Sequence, residues 1–216
     1  MIKFITTLLA LFMFSTSYAK EVKVGIILGF TGPIESLTPG MAAGAELAFN
    51  EASDSGALLG GSTVSSIRAD STCIDSAAAA SAAEFLISQG VTAIMGADCS
   101  GVTGAVLSNV AVPNGVPMIS PSATSPALTT AEDNGLFFRT APSDARGGEV
   151  LADITNDRGI TSVAITYVNT DYGVGLADVY EAAANARGIE VTAKTAHEGD
   201  KADYSAEVGV LSSAGG

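Results

Sequence analysis

Val22-Lys23-Val24-Gly25-Ile26-Ile27-Leu28 runs directly into Gly29-Phe30-Thr31-Gly32-Pro33, a short Val/Ile segment ending in a glycine turn. A β-branched run of this length bounded by turn residues reads as a buried strand, and the Ala-rich segment 40–52 that follows has helical period. The same alternation continues along the chain. Strands are expected at 22–28, 64–69, 93–95, 117–119, 162–168 and 190–193, and helices at 40–52, 75–88, 101–111, 145–158, 173–186 and 204–212. Val- and Ile-rich strands separated by helices specify an α/β fold on parallel sheets. The rhythm breaks between 119 and 144: Ser120-Pro121-Ser122-Ala123-Thr124-Ser125-Pro126 reads as a loop, 136–140 as one more extended piece, and Ala141-Pro142-Ser143-Asp144 as a crossing between lobes. A new β-α series starts after it. Too few residues precede Gly216 for a second sheet of comparable size, so the chain is expected to be a truncated N-terminal portion.

Lys3, the apolar run 4–14 and Ser17-Tyr18-Ala19 have the charge, core and small-residue order of a secretory signal, with cleavage expected after Ala19. The apolar run is shorter than the roughly 20 residues that span a bilayer. Lys20, not Cys, follows the cleavage position, which argues against a lipid anchor and for release into the periplasm. Asp and Glu number 23 against 10 Lys and Arg, a net charge of −13. Nucleic acid is excluded as a partner on this balance, because neutralising phosphates requires clustered cations. Cys73 and Cys99 are the two cysteines; an even count in an exported chain favours a disulfide over two free thiols. A structural metal is set aside because His197 is the one His, and no cofactor is expected.

In a parallel open sheet ligands sit beyond the carboxyl ends of the strands, where helix-start amides face the crevice. Three loops hold such positions: 29–33, 96–101 and 120–124, all rich in Gly, Ser or Thr. Hydroxyls and backbone amides of this kind suit a carboxylate or other small anion. Gly25, Gly29 and Gly32 are spaced GxxxGxxG, not the GxGxxG of a dinucleotide site, and Pro33 interrupts the turn. No catalytic set emerges: there is no G-x-S-x-G elbow, and His197 lies in a polar late segment that reads as surface. Asp75, Asp98, Asp144 and Asp171 each occupy a position where a helix N-cap is expected. The chain reads as a binding protein and not an enzyme.

Further segments carry a family resemblance. Val24-Gly25-Ile26 leading to Thr31-Gly32-Pro33, the Cys73 and Cys99 pair, Met118-Ile119-Ser120-Pro121-Ser122-Ala123-Thr124-Ser125-Pro126-Ala127-Leu128-Thr129, Phe138-Arg139-Thr140 and Asp171-Tyr172-Gly173-Val174-Gly175 together resemble the leucine/isoleucine/valine-binding proteins, type I periplasmic binding proteins of ABC importers. The resemblance implies two α/β lobes with Rossmann-like parallel sheets, a three-strand hinge and a ligand closed between the lobes without chemistry. On it, residues 20–141 form the N-terminal lobe and 142–216 the hinge crossing and an incomplete second lobe. Ser100 would bond a ligand carboxylate through its hydroxyl, Ser122 would contribute backbone groups, Ala123 beside it would be a ligand-binding residue, and Thr124 would offer hydroxyl and amide. Tyr172 would reach in from the second lobe. Cys73 to Cys99 would be the family disulfide. The implied partners are an amino acid or similar solute and the importer's permease and ATPase, with the protein itself a monomer; a two-lobe sensor for amino acids, amides or urea is the alternative. Glu35-Ser36-Leu37-Thr38 departs from members with a Tyr in the first binding loop, which leaves side-chain preference open, and the family's ammonium-pairing acid lies beyond Gly216.

Overall fold

The computed structural model describes residues 20–215, so the expected signal at 1–19 lies outside the described residues. Strands β1 (Glu21–Leu28), β2 (Thr63–Asp70), β3 (Ala93–Gly96), β4 (Met118–Ser120) and β5 (Phe137–Arg139) form one parallel sheet in the order β2-β1-β3-β4-β5. A second parallel sheet pairs β6 (Ser162–Val168) with β7 (Glu190–His197). The helices are α1 (Thr38–Asp54), α2 (Ser76–Ser88), α3 (Ser100–Val106), α4 (Val112–Asn114), α5 (Asp144–Asp157), α6 (Asp171–Ala186) and α7 (Ser205–Ala214), with α3 continuing into α4 through a π turn at Leu107–Ala111. None of the described helices is long and apolar enough to cross a membrane.

The second half of β1, residues 24–28, lacks polar alternation because both its faces are covered. Ile26 and Leu28 pack with Ala42 of α1, while Ile27 packs on the other face with Ala79, Ala83 and Leu86 of α2 and Val102 and Val106 of α3. Ile26, Ile27 and Leu28 are fully buried, each contributing about 1.5–3 kcal/mol. Coverage fails toward the β5 edge. Ile26, Met95, Ile119 and Phe138 lie in register as one apolar row across the sheet, yet Ile119 and Phe138 stay 43% and 57% exposed.

Helix starts correct three of the four expected caps. Asp75 does cap α2, accepting the Ala77 and Ala78 amides at 2.9 Å. For α5 and α6 the extended conformation that an N-cap needs falls one residue earlier, on Ser143 and Thr170, whose hydroxyls accept the amides of Ala145 and Gly173 at 3.2 Å. Asp144 and Asp171 are therefore the first helical residues, where a carboxylate still complements the helix dipole. Asp98 caps nothing; it is buried beneath the loops after β1, β2 and β3.

Two further expectations change. β7 runs to His197, past the expected end at 193, because Lys194 stays in the strand by pairing its ammonium with Asp178 and Glu181 of α6. His197 is not a free surface group: it is half-buried, hydrogen-bonded through Nδ1 to Thr166 at 2.8 Å and packed edge-on to Tyr204.

Candidate ligand-binding cleft

The strand order places a topological switch point between β1 and β3. The connection after β1 leads to α1 on one face and that after β3 to α3 on the other, so their loops diverge and leave a crevice at the carboxyl ends. A cleft of about 790 Å³ opens there, within the roughly 300–1,000 Å³ common for small-molecule sites. Its far wall comes from the second sheet: the β6–α6 turn at Val168, Asn169 and Thr170, the start of α6, and Glu198, Gly199 and Asp200 after β7.

The structure brings four of the five expected site residues to this cleft. Ser100, the first residue of α3, is 3% exposed, and its Oγ accepts the Ser125 amide at 3.1 Å. A hydroxyl both accepts and donates, so that bond leaves the Ser100 proton for a ligand oxygen. The Ser122 hydroxyl donates to the Asp98 carbonyl at 2.9 Å. Thr124 lines the cleft while its carbonyl accepts the amide of Asp144 at 3.0 Å, tying the loop to the first residue of α5. Ala123 differs from its neighbours: it is 1% exposed, its amide is bonded to Ser120 Oγ at 3.0 Å, and it forms no part of the cleft wall. Tyr172 stands across the gap, 46% exposed on the first turn of α6. The two sides approach closely, since a β-carbon added at Gly101 would sit 3.5 Å from the Asp171 carboxylate and one added at Gly175 would sit 3.0 Å from Ser125 Oγ.

The Cys73–Cys99 disulfide is formed and links the loops after β2 and β3 just ahead of Ser100. Beside it lies an apolar wall of Pro33, Ile34, Leu37, Met41 and Ile74. Leu37 and Ile74 are 58% and 69% exposed into solvent at this wall. The sequence marked Leu37 for the missing aromatic but offered no signal for Ile74. Charge along the cleft is one-sided. Asp98, Asp171, Glu198 and Asp200 line it, with no Lys or Arg among the lining residues. Hydroxyl and amide donors at the start of α3, an apolar wall and surrounding carboxylates together fit a small molecule bearing a carboxylate, an aliphatic body and a positive group.

The Gly29 to Gly32 turn is held from β2. The Asp70 carboxylate accepts the Thr31 hydroxyl at 2.6 Å, the Thr31 amide at 3.3 Å and the Thr72 amide at 2.8 Å. Desolvation pushes its pKa up, but the bonds from the Thr31 hydroxyl and the Thr72 and Thr31 amides outweigh it, and the net shift is downward. A carboxylate with a depressed folded pKa stabilises the fold above its unfolded value of about 3.9 and stops doing so as pH falls through the folded value. The stability difference between wild type and Asp70→Asn, read from urea midpoints, is therefore expected to be full near neutrality and to close in acid. A difference undiminished at about pH 2 contradicts this assignment.

A second cavity, about 380 Å³, lies against the β6–β7 sheet between Leu151, Ile165, Leu176 and Tyr180. Its walls are mainly apolar and it lacks the convergent donors of the main cleft.

Comparison with known proteins agrees with this geometry. The family model described as periplasmic binding protein matches residues 21–215. The Leu/Ile/Val-binding protein homolog 3 of Brucella melitensis is 35% identical over 205 residues, which cover 93% of this chain and 54% of that relative. The leucine-binding protein LivK of Thermotoga maritima superposes with a TM-score of 0.77 at 26% identity, over 89% of this chain and 53% of its own. The branched-chain amino acid transporter substrate-binding protein LivJ of Streptococcus pneumoniae, solved with isoleucine, superposes with a TM-score of 0.73 at 26% identity, over 89% of this chain and 54% of its own. The chain spans about half the length of the curated relatives it matches.

Proposed function

Since this chain belongs to the periplasmic binding protein family, we propose that it is the solute-binding component of an ABC importer, capturing an amino acid of the branched-chain type or a related small solute. The observation that carries this reading is the cradle at the start of α3. Ser100, Ser122 and Thr124 converge on the switch-point cleft, with Tyr172 opposite them on the other lobe. Ser100 Oγ and the Thr124 hydroxyl and amide take the α-carboxylate, Ser122 contributes backbone groups, Ala123 supports the loop from the core side with its amide on Ser120 Oγ, and Tyr172 closes over the ligand. The carboxylates of Asp171, Glu198 and Asp200 attract the ammonium, and the wall of Ile34, Leu37 and Ile74 receives an aliphatic side chain. Residues 20–141 act as the first lobe and 142–216 as the crossing and the beginning of the second. The reading places the protein in the periplasm after removal of residues 1–19, delivering its ligand as a monomer to a permease and its ATPase, without catalysis. Relatives named for leucine, isoleucine and valine support the choice of solute.

Calorimetric titration with L-leucine, L-isoleucine, L-valine, amides and urea tests it. Binding of at least one amino acid is expected, and Ser100→Ala is expected to weaken that binding about tenfold through loss of a hydrogen bond to a charged group. Silence across the whole set, or an affinity indifferent to Ser100→Ala, sinks the assignment.

A further inference from the structure

Asp98 is the one buried carboxylate among the described residues, 2% exposed. Its hydrogen-bond partners include no Lys or Arg. Instead three donors from separate turns meet it: the Gly29 amide reaches Oδ2 at 2.7 Å, and the Ser71 hydroxyl and the Cys99 amide reach Oδ1 at 3.0 Å. The loop after β4 joins through the main chain, where Ser122 Oγ donates to the Asp98 carbonyl at 2.9 Å and Ser120 Oγ to the Ala97 carbonyl at 2.5 Å. The four loops after β1, β2, β3 and β4 are thus fastened to residue 98 or its neighbour. A β-carbon at position 29 would stand 3.2 Å from Asp98 Oδ2, so the approach of the first loop depends on glycine there.

We propose that Asp98 is the positioning residue of the cleft, whose carboxylate holds Ser100 and Ser122 in one arrangement by tying the four loops together, without touching the ligand itself. The proposal rests on reading the cleft as the ligand site. Burying a carboxylate without a cation is costly, and the bonding pattern shows what only a carboxylate does here. The Gly29 and Cys99 amides fall on different oxygens, and both are donors that cannot reverse. An Asn has one acceptor and one NH₂, so in either orientation it turns a donor toward one of the two amides. Ser71 can rotate its hydroxyl to accommodate the change; a backbone N–H cannot.

Amide hydrogen exchange and L-leucine titration on wild type, Asp98→Asn, Ser71→Ala and the double variant test this. In Asp98→Asn, exchange at Gly29, Cys99, Ser100 and residues 122–124 is expected to rise together by about tenfold or more, with the strands β1 and β3 unchanged. L-leucine affinity is expected to fall by a similar factor. Ser71→Ala, which removes one donor and keeps the carboxylate, is expected to loosen the same loops less, and the double variant to loosen them no more than Asp98→Asn. Where Asp98→Asn fails to fold, the Ser71→Ala exchange pattern decides alone. Exchange that changes only at Gly29 and Cys99, or that rises equally in both sheets, overturns the proposal. So does an unchanged leucine affinity in a variant whose loops have loosened. If wild type binds no leucine but the loops still loosen together, the loop tie stands and the leucine reading of the cleft fails.

Discussion

Replacing Cys73 and Cys99 together by Ser is expected to lower the unfolding free energy by about 3.5 kcal/mol, the chain-entropy value for a closed loop of this size. The bond spans a sequence separation of 26 residues, enclosing the end of the β2 loop, all of α2 and β3. For a chain of this length the loss corresponds to roughly 7–14 °C in Tm. Differential scanning calorimetry of the double variant beside the wild type measures it directly. The effect has a local side as well, because Cys99 immediately precedes Ser100 and both cysteines line the cleft. Thr72 and Cys73 both hold left-handed conformations, φ 59° and 71°, which residues with a β-carbon adopt at a cost. Without the cross-link that turn has less to hold it, so ligand affinity is expected to fall along with stability. A Tm within a degree or so of wild type would show that the bond constrains little of the unfolded chain.

Gly96→Ala is expected to be at least as damaging, about 4 kcal/mol or more, in the class of changes that strain the backbone and overpack the core at once. Gly96 ends β3 at φ 125°, and a β-carbon there would lie 1.9 Å from the Ile27 carbonyl oxygen. Ile27 cannot yield, since β1 is paired on both sides, by β2 and by β3, and is buried on both faces. Gly44→Ala provides the contrast. Gly44 lies within α1 with open space where its β-carbon would stand, so that change is expected to stabilise by about 0.5–1 kcal/mol through helix propensity. Urea denaturation of the two variants, compared at equal m-value, reads both. A Gly96→Ala chain as stable as wild type contradicts the packing described for the β1–β3 pair.

The centre of the first sheet is legible because residues 24–28 of β1 and the adjoining β3 are covered on both faces and carry near-unbroken apolar runs. Every expected strand is present, and the 162–168 strand has the expected limits. What periodicity does not carry is pairing. The order β2-β1-β3-β4-β5, and with it the switch point between β1 and β3, follows from which face each crossover helix takes, a matter of three-dimensional packing. The caps at Ser143-Asp144 and Thr170-Asp171 are ambiguous in sequence because each pair offers two competent caps in a row, and only the backbone conformation selects between them. The end of β7 is not legible locally, because what keeps Lys194 in the strand is its pairing with Asp178 and Glu181 on α6.

The site was readable in part for a related reason. Ser100, Ser122 and Thr124 sit in local sequence contexts, strand then polar turn, that place them at carboxyl ends whatever the pairing. Asp98 looks like a cap in sequence because two of its partners are 69 and 27 residues away, at Gly29 and Ser71. Ala123 shares the loop of Ser122 and Thr124, but its side chain turns into the core and only its backbone belongs to the loop. The carboxylates after β7 reach the cleft through the packing of the second sheet opposite the first, which no local pattern encodes.

Titrating the uniformly ¹⁵N-labelled 216-residue chain with millimolar L-leucine, and following every backbone amide by NMR, tests the central claim most directly. The cradle at the start of α3 predicts saturating shifts concentrated at Ser100, Gly101, Ser122, Ala123 and Thr124, with Tyr172 responding from across the cleft. Shifts that leave these amides in place, or that gather at the cavity beside β6 and β7, would contradict it.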